Sequence, residues 1–125
     1  MAFQLEREKT DTTPYVLIDE SQGYMRFEGE SFHINSVEFF REISNWLGSY
    51  LKTDFEKLVF DCELRYFNSS TVKLLLNMLL DMDDAKNAGK ITVNWITTET
   101  NKIIIECGED FQEDLEHISF NLVLR

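Results

Sequence analysis

A chain of 125 residues, 43% hydrophobic and 13% aromatic, is long enough for one substantial core and short for two. Twelve basic residues against twenty-three acidic ones leave a formal net charge of −11, which repels phosphate backbones and anionic bilayers and argues against nucleic-acid and membrane roles. The two cysteines, Cys62 and Cys107, have no C-x-x-C spacing and no histidine at ligand spacing, so no disulfide framework, metal site or cofactor is expected.

The N-terminal MAFQLEREKT lacks the charged and apolar regions of a secretory leader, and no apolar run approaches a membrane span, so a cytoplasmic location is expected. Residues 1–13 are polar, end at Pro14 and read as a flexible arm, with a single domain over 14–125. YVLID (15–19) and YMRFE (24–28) are β-rich runs whose spacing predicts a hairpin through residues 20–23.

Beyond FHIN, the residues Phe39, Phe40, Ile43, Trp46, Leu47, Tyr50 and Leu51 recur at spacings of three and four, which predicts an amphipathic helix capped by Asn35 or Ser36. KLVFDCEL (57–64) alternates, with Leu58, Phe60, Cys62 and Leu64 on one face and Val59, Asp61 and Glu63 on the other. ITVNWI and SFNLVL alternate in the same way, so the sheet is expected to have one covered and one wetter face. Between these strands lie a helix over about 70–87, closed by Gly89, and another over about 101–111, with a break at Gly108 as an option. The order β-β-α-β-α-β-α-β implies an α/β fold of α+β-like character, a mixed sheet with helices mainly on one face.

From Val72 to Met82 the polar residues are Lys73, Asn77 and Asp81, one narrow stripe on an otherwise apolar helix. A helix lying on a small sheet needs an apolar stripe of roughly 100°, so the surplus is buried by neighbouring helices or forms a docking or dimer surface.

Ahead of that helix, RYFNSSTVKLLL (65–76) places Ser69, Ser70 and Thr71 after Asn68. One side chain is enough to cap a helix, a contribution of about 1 kcal/mol, and Asn68 or Ser69 can supply it. A phosphate on a remaining hydroxyl would meet the unpaired amides and positive dipole end of the helix. It would also add about 1.5 to 2 negative charges at the head of an apolar helix. Docking there would then require desolvating a dianion, which makes the turn a binding switch.

A serine or threonine between a strand and a helix N-terminus resembles the STAS domains, whose anti-anti-sigma members are phosphorylated at that turn. TPYVLID, FHINSVEFF, LRYFNSSTVKLLLNMLLDMDDAKNAGK and GEDFQEDL together are more similar to the SiaC family of bacterial regulatory phosphoproteins, which are single-domain and STAS-like. The resemblance spans about Thr13 to Val123. It implies a regulatory protein in cyclic di-GMP signalling, without enzymatic activity of its own. A partner protein kinase modifies the turn, a PP2C-type phosphatase reverses the modification, and the unmodified form binds and activates a diguanylate cyclase. The acceptor carries over to Ser69, with Ser70 and Thr71 as alternatives, and the partner-binding set is Asn68, Val72, Leu74, Leu75 and Met78. Anti-anti-sigma proteins usually have Asp before the serines and Gly after them, whereas this chain has Asn68 and Thr71. An anti-anti-sigma-like role and a structural dimer module without a switch are the alternatives, and a weak homodimer is compatible with the main reading.

Asp61 and Glu63 on one strand face, and the run Asp81, Asp83 and Asp84, are the remaining candidates for acid-base or cation chemistry. The first pair reads as a solvated strand face and the second set as the wet end of a helix. Thr100 in TTET reads as a cap, Cys62 as core, and His33 and His117 as isolated surface residues.

Overall fold

The computed structural model describes residues 2–125, and among them the chain forms six strands and three α-helices. These are β1 (Gln4–Arg7), β2 (Tyr15–Asp19), β3 (Tyr24–Ser31), α1 (Ser36–Tyr50), β4 (Leu58–Phe67), α2 (Ser69–Asp83), β5 (Ile91–Thr97), α3 (Lys102–Glu113) and β6 (Ser119–Leu124). The sheet runs in chain order, β1-β2-β3-β4-β5-β6. The first three strands are antiparallel, and β3 to β6 are parallel, each joined to the next through a helix.

Alternation in the strands sorts the two faces. Val16, Ile18, Met25, Phe27, Leu58, Phe60, Cys62, Ile91, Val93 and Trp95 are buried under the helices, as the mixed sheet with one covered face requires. The opposite face carries Tyr24, Arg26, Asp61, Glu63, Asn94 and Asn121. Each helix buries one stripe: Phe40, Ile43 and Leu47 in α1, Leu75, Met78, Leu79 and Met82 in α2, and Ile104 and Phe111 in α3.

The expected N-terminal arm is corrected over its first half, because Gln4–Arg7 pairs antiparallel with β2 as an edge strand. Phe3 stacks on Trp46 with ring centroids 5.9 Å apart, and Leu5 also packs against the core. Charged residues on this strand are the usual protection of a sheet edge, and they make it resemble a loop in sequence. The element order therefore gains a strand at its start.

Two helix boundaries also move. The helix expected to reach Asn87 ends at Asp83, and Gly89 lies in a separate 3-10 turn, Ala88–Lys90. The helix over 102–113 runs through Gly108 without a break. Gly108 is the point where α3 crosses Trp95 closely: a Cβ there would sit 2.5 Å from the indole Cδ1. The Trp95 Nε1–H donates to the Ile104 carbonyl at 2.9 Å, so ring and helix fix each other.

Strand β4 extends past the predicted 64 to Phe67, through a bulge. Gly29 pairs with Leu64 but Glu30 pairs with Tyr66, so Arg65 is the extra residue. Gly29 accommodates this with φ of 112°, a conformation in which side-chain-bearing residues are strained. The bulge reverses the alternation, turning Tyr66 outward and Phe67 in against Trp95 at a centroid distance of 6.0 Å.

Candidate functional site at the strand-to-helix turn

The bulge brings the end of β4 back beside the end of β3, where the Asn68 N–H donates to the Ser31 carbonyl at 3.1 Å. Asn68 then caps α2: its Oδ1 accepts from the Thr71 N–H at 3.0 Å. Asn35 and Asn101 cap α1 and α3 by the same contact three residues on, so the cap of α1 is Asn35 and not Ser36, and the cap of α3 is Asn101 and not Thr100.

The three hydroxyls of the turn separate completely. Thr71 is 0% exposed, and its Oγ1 lies 2.9 Å from Ser31 Oγ, 3.1 Å from the Ser31 carbonyl oxygen and 3.1 Å from Asn68 Oδ1. That removes Thr71 from the acceptor candidates, since no kinase reaches a hydroxyl inside the core. Ser69 and Ser70 are exposed, and neither has a side-chain hydrogen-bond partner among the described residues. They occupy the first two positions of α2, where backbone amides have no intrahelical acceptor.

The expected partner-binding set needs correction. Leu75 and Met78 are core residues, and Asn68 is half-buried and engaged as the cap. Val72 and Leu74 are half-buried and pack against the core. Most of the apolar surface of α2 is covered within the chain: beyond its buried stripe, Val72, Leu74 and Leu76 are partly buried against the core.

The exposed apolar surface lies elsewhere. Phe32, Ile34, Val37, Tyr66, Ile103 and Leu124 are the large hydrophobic side chains left open to solvent among the described residues, with Ile34 100% and Ile103 77% exposed. All six sit at one pole, where β3, β4 and β6 end and α1, α2 and α3 begin. Phe32 and Tyr66 pack edge to face across it at 5.6 Å. Asn101 Nδ2 donates to the Arg65 carbonyl at 3.1 Å, drawing the start of α3 to the end of β4. Ser69 and Ser70 open onto this same pole. Phe32 and Ile34 lie in the loop before α1, Val37 falls outside the stripe that α1 buries, and Ile103 falls outside the stripe of α3; for Val37 and Ile103 that phase mismatch is the sequence signal for the surface.

The other candidates are structural. Asp61 accepts from Asn94 Nδ2 at 2.8 Å and from the Tyr24 hydroxyl at 2.7 Å, while Glu63 meets Arg26 at 2.8 Å and Arg125 at 3.3 Å. Burial, then the bond to Asp61, raises the Tyr24 hydroxyl pKa. Asp83 is not at a wet end: it is buried, and its carboxylate accepts from the N–H groups of Glu116, His117 and Ile118 at 2.7–3.1 Å. Burial pushes this carboxyl up, but the three backbone donors outweigh it and hold its pKa below the ordinary value. Burial raises the pKa of the Cys62 thiol strongly and takes the Cys107 thiol to about 11. Among the described residues no group of three or more His, Cys, Asp or Glu could hold a metal ion, and no helix is long and apolar enough to cross a membrane.

The family model for the SiaC family of regulatory phosphoproteins matches residues 7–125. The chain belongs to the SiaC family. This SiaC-family chain is 28% identical over 106 residues to an uncharacterized protein of Pseudomonas aeruginosa strain UCBPP-PA14, covering 84% of each chain. It superposes on the crystal structure of apo-SiaC from Pseudomonas aeruginosa with a TM-score of 0.84 and 26% identity, over 97% of this chain and 98% of that one. The match to the crystal structure of the diguanylate cyclase SiaD in complex with its activator SiaC, also from Pseudomonas aeruginosa, has a TM-score of 0.87 and 27% identity, over 97% and 99% of the two chains. The SiaC fold thus covers 97% of this family member, and the turn that carries Ser69 belongs to the region matched by the family model.

Proposed function

We propose that this chain is a phosphorylation-controlled adaptor: its unmodified form binds and activates a diguanylate cyclase, a partner protein kinase modifies Ser69, and a PP2C-type phosphatase restores the active form. The protein performs no catalytic step itself. The observation that carries the reading is the division of labour at the turn. Asn68 and buried Thr71 hold the start of α2, leaving the neighbouring Ser69 hydroxyl exposed and without a structural partner. A phosphate can therefore be added without dismantling the cap.

Family membership and the solved complex of the activator SiaC with SiaD support a cyclase as the target. The switch itself is electrostatic. A group carrying about 1.5 to 2 negative charges, beside an apolar surface, must be stripped of water before anything docks on that surface. Ser70 is the second candidate, exposed on the same turn.

Intact-mass measurement of protein from native cells, with and without phosphatase, tests the modification. The expected result is a phosphatase-sensitive shift that maps to the peptide containing Ser69. Ser69→Ala is expected to retain cyclase binding and activation, and Ser69→Asp to weaken both. Equal affinity of Ser69→Ala, Ser69→Asp and the phosphorylated protein for the cyclase would sink the switch.

A further inference from the structure

The two edges of the sheet are finished differently. Edge strand β1 is four residues long and carries Glu6 and Arg7, the usual protection against pairing with another chain. Edge strand β6 has the sequence SFNLVL, without a charged side chain, in a protein whose net charge is −11.

Register fixes which backbone groups of β6 are free. Thr97 lies opposite Leu124, and the Arg125 N–H donates to the Thr97 carbonyl at 2.9 Å. Ser119, Asn121, Val123 and Arg125 therefore turn their backbone groups toward β5, while Phe120, Leu122 and Leu124 turn theirs outward. The outward Phe120 carbonyl accepts from Gln112 Nε2 at 3.1 Å, so a side-chain amide fills the place where the N–H of a further strand would bond. The outward groups of Leu122 and Leu124 have no partner among the described residues. Along the same row Phe120 is buried, Leu122 is half-buried and Leu124 is 50% exposed.

We infer that β6 is the pairing edge for a second copy of this chain, the two strands running antiparallel about a two-fold axis at Leu122. Leu122 then faces the same residue of the second copy, and Leu124 faces its Phe120. Each outward donor meets an outward acceptor once the Gln112 side chain swings aside. The apolar rows join, and Leu124 is covered. A second copy is the fitting occupant because the free groups and apolar side chains are arranged symmetrically about Leu122, and β6 brings no like charges to the axis. The acidic excess of the two copies opposes the pairing at longer range, which keeps it weak and makes it salt-dependent. The inference is independent of the adaptor reading, since antiparallel pairing leaves each Ser69 turn at its own end of the joined sheet.

The test is sedimentation of the unphosphorylated full chain from about 1 μM to 1 mM, in low and high salt. A reversible monomer–dimer equilibrium is expected, and added salt is expected to strengthen it. Leu124→Pro removes an outward N–H and no bond to β5, a place where an edge strand tolerates proline. Leu124→Lys places a charge on the open edge. Each is expected to weaken dimerisation about tenfold or more. Gln4→Lys makes the same charge change on β1 and is expected to leave it unchanged. Leu124 and Gln4 are exposed, and thermal melts check that each variant is folded. In the wild-type dimer the Leu122 and Leu124 amides are expected to exchange hydrogen more slowly than in the monomer. A chain that stays monomeric throughout overturns the pairing and leaves the edge to a strand of another protein. Dimers that both Leu124 variants form as well as wild type, or that Gln4→Lys weakens equally, place the contact elsewhere and overturn it too.

Discussion

The Thr71 hydroxyl lies 2.9 Å from the Ser31 hydroxyl, inside the core, and ties the first turn of α2 to the last residue of β3. Two residues earlier in the chain, Ser69 carries a hydroxyl that faces solvent. Side chains of nearly the same chemistry, two positions apart, thus stand in opposite environments, and the difference is measurable.

Thr71→Val is expected to destabilise the fold by roughly 1–3 kcal/mol, because it leaves Ser31 Oγ buried without its partner. Ser69→Ala is expected to stay within about 0.5 kcal/mol of wild type, as an exposed position with no bond to lose. Urea denaturation of the two variants checks both. Equal losses would mean that the two hydroxyls are not divided as described.

Asp83 anchors the segment before β6, and its pKa is lowered in the folded state. A depressed carboxyl pKa contributes stability that is fully present above the unfolded-state value and is lost as pH falls through the folded one. Wild-type stability is therefore expected to decline in acid more steeply than that of Asp83→Asn. At neutral pH, Asp83→Ala should cost about 2–3 kcal/mol, since three backbone N–H groups lose a charged acceptor. Denaturation curves at neutral pH and below about pH 4 compare the variants directly.

Gly108→Ala should destabilise although alanine favours a helix by about 1 kcal/mol. The added methyl meets the Trp95 ring, which is fully buried between α3, Phe111 and Phe120. A net loss of about 1–3 kcal/mol is expected, with a change in tryptophan fluorescence as the ring shifts. A stabilised Gly108→Ala protein would show that the helix can slide away from the ring.

Much of the fold was legible because its signals are local. The alternation of Leu58, Phe60, Cys62 and Leu64, and of Ile91, Val93 and Trp95, identifies strands and the face each buries. The same periodicity was blind to β1, where four residues with a single apolar side chain, Leu5, carry too short a pattern to mark an edge strand. It also lost β4 at Arg65, since a bulge breaks alternation without ending the strand. Gly108 was ambiguous for a related reason: glycine in a helix signals either a break or a close contact, and only the position of Trp95 decides between them.

The candidate site was legible in part. That Asn68 or Ser69 caps and that hydroxyls of the turn are spare follow from helix-end chemistry, which depends on neighbours three residues away; the structure settles the cap as Asn68. The sequence by itself therefore determined the strand-to-helix turn, a cap at one of two adjacent residues, and the presence of more hydroxyls than a cap needs. Which hydroxyl is free was decided by the tertiary structure, because Ser31, forty positions from Thr71, supplies the partners that bury it. The exposed apolar surface lies elsewhere for the same reason. The leucines of α2 are apolar enough to face a partner, but α1 and the sheet reach them first. The apolar side chains left over come from the loop between β3 and α1 and from α1, β4, α3 and β6, and only the parallel packing of those elements gathers them at one pole.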